Sequence, residues 1–226
     1  MANRPPAVVL LSGGLDSAVV AAWLQQRGFG LRALTLDYGQ RHRVELEAAR
    51  RLAEHFRVEE HLIQPLDLRA IGGSALTSSI EVPKADHPEA EVAPDIPVTY
   101  VPARNLIFLS IALAFAEARG AQDLGIGVNA LDYSGYPDCR PEFLDAFRHC
   151  ADLATRVGVE GKPIQIHTPL QQKSKVEILQ MALDFGIPVD QTVSCYDPAA
   201  DGSPCRACDA CRLRYQAERQ LGLKEA

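Results

Sequence analysis

The chain has 226 residues, enough to bury the core of one α/β domain with a small appended module, and its 47% hydrophobic and 23% charged residues are ordinary globular proportions. A net charge of −6 with scattered arginines argues against a partner such as nucleic acid, whose phosphates call for a basic patch. No apolar run is long enough to span a bilayer or to act as a leader, so a cytoplasmic protein with reduced thiols is expected.

Val8, Val9, Leu10 and Leu11 form an apolar run of the length of a buried strand, and the apolar stretch 18–24 suits a helix packed on a sheet. Between them lies Ser12-Gly13-Gly14-Leu15-Asp16-Ser17. Paired glycines reach positive φ and carry no Cβ, so the N–H groups of such a turn converge on an anion. The start of the next helix and the Ser12 and Ser17 hydroxyls add donors. The turn lacks the Gly-Lys-Ser/Thr end of a Walker loop; Asp16 stands there instead, an acid suited to holding Mg2+ beside a polyphosphate. Residues 11–17, Leu11 and Leu15 included, are therefore the candidate phosphate-binding set. A plain strand-to-helix turn with serine caps would use the same residues.

Residues 31–38 alternate into a second strand ending near Asp37, residues 44–56 space their apolar side chains along one helical face, and 58–63 read as a third strand. From 65 to 102 the pattern fails among glycines, serines, acids and prolines, and a lid and disorder fit equally well. The stretch 106–116 is apolar nearly all round and predicts a buried helix with Arg104 and Asn105 at its start. A strand over 121–128, with light residues suited to packing beneath a nucleotide, leads into the polar and aromatic loop 129–140, where doubly wound folds place their sites. A helix from Pro141 to about residue 157, a strand over 164–168 and a helix opened by the capping box Ser174-Lys175-Val176-Glu177 complete a doubly wound, mostly parallel α/β domain over residues 1–190.

Cys195, Cys205, Cys208 and Cys211 lie within 17 residues at spacings that let four thiolates face one centre. Tetrahedral structural Zn2+ is the reading that fits, with an iron–sulfur cluster as its rival, and 191–226 becomes a zinc-binding tail packed on the domain. Cys150, in a predicted helix, is read as core; Cys139 sits in the polar loop with no evident histidine to activate it.

The string 12–17 resembles the pyrophosphate loop of the N-type ATP pyrophosphatases, which split ATP to AMP and pyrophosphate. Together with Asp-Tyr-Gly-Gln-Arg-His at 37–42, Val-Pro-Ala-Arg-Asn at 101–105, Ser-Gly-Tyr-Pro-Asp-Cys-Arg at 134–140 and the cysteine tail, it resembles the 7-cyano-7-deazaguanine synthase family of the queuosine pathway over nearly the whole chain. The family often has glycine where Ala103 stands. The resemblance implies an ATP-dependent ligase that converts 7-carboxy-7-deazaguanine and ammonia to the nitrile through an adenylated carboxylate and an amide, with a homodimer as the assembly. It also implies roles. Asp16 would hold the metal, and Arg104, Lys173 and Lys175 would pair with the substrate carboxylate or the phosphates. Asn105, Asp132, Tyr133, Tyr136 and Asp138 would read or stack the deazaguanine ring, Asp37 would touch ribose or metal, and His42 would move protons or serve structure. Two other readings share the loop: a tRNA thiolase, lysidine synthetase or amidotransferase-type synthetase, and a non-catalytic nucleotide sensor.

Overall fold

In the computed structural model, which describes residues 4–40, 43–87, 96–130, 136–199 and 201–224, strand and helix alternate through β1 (Pro6–Leu10), α1 (Leu15–Gln26), β2 (Gly30–Asp37), α2 (Val44–His55) and β3 (Glu60–Pro65). The described part of 66–103 holds no strand or helix. Beyond it lie α3 (Arg104–Ala118), β4 (Asp123–Gly125), α4 (Pro141–Ala154), α5 (Arg156–Val159), β5 (Gln165–His167), α6 (Lys175–Asp184) and α7 (Asp209–Gln220).

The five strands form one sheet in the order β3-β2-β1-β4-β5, every pairing parallel. β1 is the centre: it pairs with β2 from Pro6↔Gly30 to Leu10↔Leu34 and with β4 from Ala7↔Asp123 to Val9↔Gly125. The chain leaves β1 in one direction for β2 and β3 and in the other for β4 and β5, so the carboxyl ends of β1 and β4 frame the switch point where open α/β sheets bind ligands. Successive β1 side chains serve opposite cores. Ala7 and Val9 pack with α1 and α6, whereas Val8 and Leu10 pack with α3 and α4. A strand covered on both faces reads as a continuous apolar run.

Several boundaries differ from expectation for local reasons. Thr155 is extended, with its hydroxyl accepting from the Gly158 N–H at 3.1 Å, and this divides the single helix expected over 141–157 into α4 and α5. α3 is not buried all round: Leu106, Ser110 and Ala114, one turn apart, face outward. Cys150 is exposed on α4, which corrects its reading as core. β4 is three residues long, Asp123–Gly125, shorter than the strand expected over 121–128. An ideal Cβ on Gly125 would lie 2.7 Å from Val20 Cγ1 and 2.8 Å from Leu24 Cδ1, so the bare glycine lets α1 rest directly on the sheet.

The irregular segment 66–87 belongs to a third core. Leu68, Ala75, Leu76 and Val82 pack with Tyr38, Val101, Cys195, Cys208 and Cys211, and the Ala75 N–H donates to the Val98 carbonyl at 2.8 Å. The tail returns to the main body through α7, whose Ala217 joins the α1 and α6 core. The capping box at α6 is present as expected, Ser174 accepting from the Glu177 N–H and Glu177 from the Ser174 N–H.

Gly125→Ala adds one methyl at the α1–β4 contact, and overpacking of this kind costs about 1 to 3 kcal/mol. Urea unfolding is expected to show a lowered midpoint at unchanged slope; an unchanged midpoint would contradict the contact.

Candidate active site

The 12–17 turn is built to stay open toward a ligand. Gly13 has φ of 88°, and a Cβ there would meet the Glu45 carbonyl at 2.3 Å and the Ala49 N at 2.9 Å, so only glycine lets the turn lie against α2. The Gly13 carbonyl accepts from the Val193 N–H at 3.0 Å, which ties the turn to the chain before the cysteine tail. On the opposite side Gly127 brings β4's extension against the turn, an added Cβ lying 3.0 Å from the Asp16 carbonyl carbon.

The two serines do not cap α1. Ser17 Oγ donates to the Gly14 carbonyl at 2.9 Å and accepts from the Ser12 N–H at 3.2 Å, and the Ser12 hydroxyl lies 3.2 Å from it. They brace the turn internally. Gly14, the residue before α1, supplies no side-chain cap. The first-turn N–H groups of α1, with its positive dipole end, are thus left to a ligand.

A cavity of about 230 Å3 opens above this turn, and Ser12, Gly14, Leu15, Asp16 and Ser17 line it. The two candidate lysines part company. Lys175, its side chain only 11% exposed, lines the cavity and donates to both Asp16 oxygens at 2.8 and 3.0 Å. Lys173, 42% exposed, bonds Glu177 at 2.7 Å on the surface one turn away and is not part of the cavity wall. Asp37 and Leu11 also lie outside the wall; Leu11 is core, its carbonyl accepting from Thr35 at 2.6 Å.

The same cavity is walled by Tyr38, Phe108, Tyr136 and Tyr196, with Glu45 and Arg104 among them. Tyr38 and Phe108 are 5.4 Å apart and tilted by 57°. Arg104 and Asn105 open α3 as expected, after Ala103 in the left-handed region at φ 53°. That conformation suits glycine, which explains the comfort of glycine at this position. Asn105 and Asp138 occupy each other: Asp138 accepts from the Asn105 N–H at 2.8 Å, and the Asn105 amide reaches the Asp138 carbonyl and Cys139 Sγ, each at 3.2 Å. The Asp138 carboxylate therefore caps α3 from across the site and does not line the cavity. Asp132, Tyr133 and His42 lie outside the described residues.

Burial sets the charges here. It pushes the Glu45 carboxyl up from 4.5 to about 7, with the Arg104 guanidinium pulling the other way. Burial and the neighbouring Glu45 push Tyr38 up to about 12. Cys139 rises to about 12 through burial and the Asp138 charge, which favours the thiol at neutral pH. Glu45, Phe108 and Tyr196 were not singled out from the sequence: Glu45 looks like the polar face of an amphipathic helix, and nothing local separates it from Glu47.

The four cysteines expected as ligands converge, their sulfurs lying within 4.8 Å of one another. Backbone N–H groups point at the sulfurs: those of Cys205 and Asp197 reach Cys195 Sγ at 3.2 and 3.4 Å, and those of Tyr196 and Cys208 reach Cys208 Sγ and Cys205 Sγ at 3.5 and 3.4 Å. Four sulfurs with N–H donors around them suit a soft cation held by thiolates. Tyr196 and Ala210, beside these cysteines, form part of the cavity wall.

The family model described as "Queuosine biosynthesis protein QueC" matches residues 6–222. The 7-cyano-7-deazaguanine synthase of Rhizorhabdus wittichii is 58% identical over 219 residues, covering 97% of this chain and 93% of its own. That of Novosphingobium aromaticivorans is 58% identical over 223 residues, covering 99% and 94%. Among solved structures, the NMN synthetase from Francisella tularensis is similar at a TM-score of 0.52 and 17% identity, covering 99% of this chain and 79% of that one. A 4-thiouridine synthetase solved with RNA and bound ATP is similar at 0.52 and 19%, covering 96% and 50%. At such identities the two structures establish the fold alone.

Glu45 makes stability depend on pH with a defined sign. Its native carboxyl holds a proton that the unfolded chain releases above about 4.5, so its contribution is present at low pH and lost as pH rises from there through about 7. Glu45→Gln is expected to raise the thermal midpoint relative to the parent at about pH 8 and not at about pH 4. An equal difference at both pH values would contradict the buried acid.

Proposed function

The chain belongs to the queuosine biosynthesis protein QueC family, and from that premise we propose how it makes 7-cyano-7-deazaguanine from 7-carboxy-7-deazaguanine, ammonia and ATP. It is an enzyme of queuosine biosynthesis, an ATP-dependent synthase that forms a C–N bond and acts on small molecules. Membership over nearly the whole chain sets aside the other enzymes that share the loop, and the sensor as well. The observation that carries the reaction is one cavity lined both by the phosphate turn and by an aromatic set that holds Arg104.

A carboxylate is a poor electrophile and its oxygen a poor leaving group, so the acid must be activated first. Its oxygen attacks the α-phosphorus of ATP, the bond to pyrophosphate breaks, and a mixed anhydride forms. The first-turn N–H groups of α1 and the Lys175 ammonium stabilise the departing pyrophosphate. Mg2+ bound beside Asp16 would neutralise the charge that grows on those phosphates. Lys175 and Asp16 are paired with each other at 2.8 Å, which keeps two half-buried charges compensated until phosphate and cation draw them apart. Arg104 holds the acid in place. Ammonia then attacks the carbonyl carbon, AMP leaves and a proton is lost, giving the amide. A second activation at the amide oxygen makes AMP the leaving group again, and loss of the remaining N–H protons yields the nitrile.

We assign Zn2+ to Cys195, Cys205, Cys208 and Cys211, where a closed four-thiolate site would fold the tail 191–226 onto the domain 1–190. The N–H groups around the sulfurs support a bound cation. Free ammonia as nitrogen source, a homodimer and a cytoplasmic setting rest on the family likeness; among the described residues no helix is long and apolar enough to cross a membrane.

Purified protein incubated with ATP, Mg2+, ammonium and the acid is expected to form AMP and the nitrile, followed by mass spectrometry; AMP formation that does not depend on the acid would overturn the reaction. Elemental analysis is expected to find about one zinc per chain, lost together with folded protein in Cys205→Ser. Iron, or a stably folded protein without metal, would overturn the zinc assignment.

A further inference from the structure

Among the described residues, the chamber contains one acid that the reaction above does not use. Glu45 stands in the first turn of α2, its backbone carbonyl held against Gly13, and its side chain lines the same cavity wall as Tyr38 and Arg104. Among the described residues no hydrogen bond or ion pair engages its carboxylate; Arg104 acts on it only through its charge. A half-buried acid without a partner costs free energy unless a ligand supplies donors. The turn beside it already offers the N–H groups and Lys175 for phosphate, which a second negative charge would only repel. The occupant that suits Glu45 is thus a neutral group rich in N–H.

The edge of a guanine-like ring runs acceptor, donor, donor, from its 6-oxo group through N1–H to the 2-amino group. Arg104 beside Glu45 offers the complement, donor then acceptors. The 7-substituent of a 7-deazaguanine lies on the same side of the ring as the 6-oxo group. A ring bound with its 2-amino end at Glu45 therefore presents its 7-carboxylate toward Arg104. We infer that Glu45 is the specificity residue for the deazaguanine ring, its carboxylate accepting from N1–H and the 2-amino group while Arg104 faces the 6-oxo group and the carboxylate to be activated. Tyr38, Phe108 and Tyr136 wall the same cavity, and apolar surface beside these bonds lowers the local dielectric and strengthens them. Of the two acids expected from sequence at this edge, Asp138 accepts from the Asn105 N–H at the start of α3 and Asp132 lies outside the described residues. The inference rests on the reaction proposed above.

The test compares full-length parent, Glu45→Gln and Glu45→Asp with two acids, 7-carboxy-7-deazaguanine and its analogue lacking the 2-amino group. The parent is expected to prefer the 2-amino acid by about 10- to 100-fold in kcat/KM, the size of a charged hydrogen bond. Glu45→Gln should lower that preference to within a few-fold by raising KM for the acid, with KM for ATP unchanged, and Glu45→Asp should restore part of it. Equilibrium binding of the two acids without ATP is expected to show the same loss. A Glu45→Gln enzyme that keeps the parent's preference, or one in which KM for ATP rises instead, would overturn the inference while leaving the reaction intact. A parent that turns over neither acid would overturn the reaction, and the inference with it.

Discussion

Contact of one six-residue turn with three distant parts of the chain is the constraint on which the site depends. The turn after β1 lies so close to α2 that Gly13 has no room for a Cβ, so close to the extension of β4 that Gly127 has little, and it is bonded through the Gly13 carbonyl to Val193. Each contact fixes the direction of N–H groups that would otherwise have to be ordered when phosphate binds. Pre-ordering of this kind removes part of the entropy cost of binding and part of the reorganisation cost of charge transfer. The serine hydroxyls, bonded to each other and to the Gly14 carbonyl, contribute to the same rigidity.

The same geometry makes the cysteine tail part of the site. Cys195, Cys208 and Cys211 share a core with Tyr38 and with Leu68, Leu76 and Val82 of the irregular segment, while Leu76, Tyr196 and Ala210 reach the cavity wall. Lys84 pairs with Asp197 at 3.0 Å, and the Ala85 N–H donates to the Ala207 carbonyl at 3.0 Å, so segment and tail hold each other. Loss of order around the four sulfurs would loosen one wall of the chamber in which the acid is bound. Folding of the tail and recognition of the substrate are in this sense one packing problem.

What was legible in the sequence followed from periodicity and from motifs whose geometry is local. The apolar β1 run, the 12–17 turn, the amphipathic α2 and the Ser174 capping box depend on neighbours in the chain and stand where they were expected. The parallel sheet followed from the alternation of strand and helix. What escaped depends on partners far away in sequence. Asp138 lies in a polar loop that gives no sign of its partner, and only the fold brings the start of α3 to it, 33 residues back. Segment 66–87 has no periodicity because its apolar residues pack singly against the tail, which no local pattern reveals. Glu45 and Glu47 are two acids on one helix, and the chamber selects the first.

The central claim is that the turn and the chamber act on one molecule in one cavity, so that the acid's own oxygens are handed to AMP. It is tested most directly by supplying 7-carboxy-7-deazaguanine with both carboxylate oxygens labelled with oxygen-18 and weighing the AMP. The account predicts one labelled oxygen in every AMP formed on the way to the nitrile, from the acid in the first activation and from the amide in the second. Unlabelled AMP, with the label appearing in pyrophosphate, phosphate or water, would contradict it.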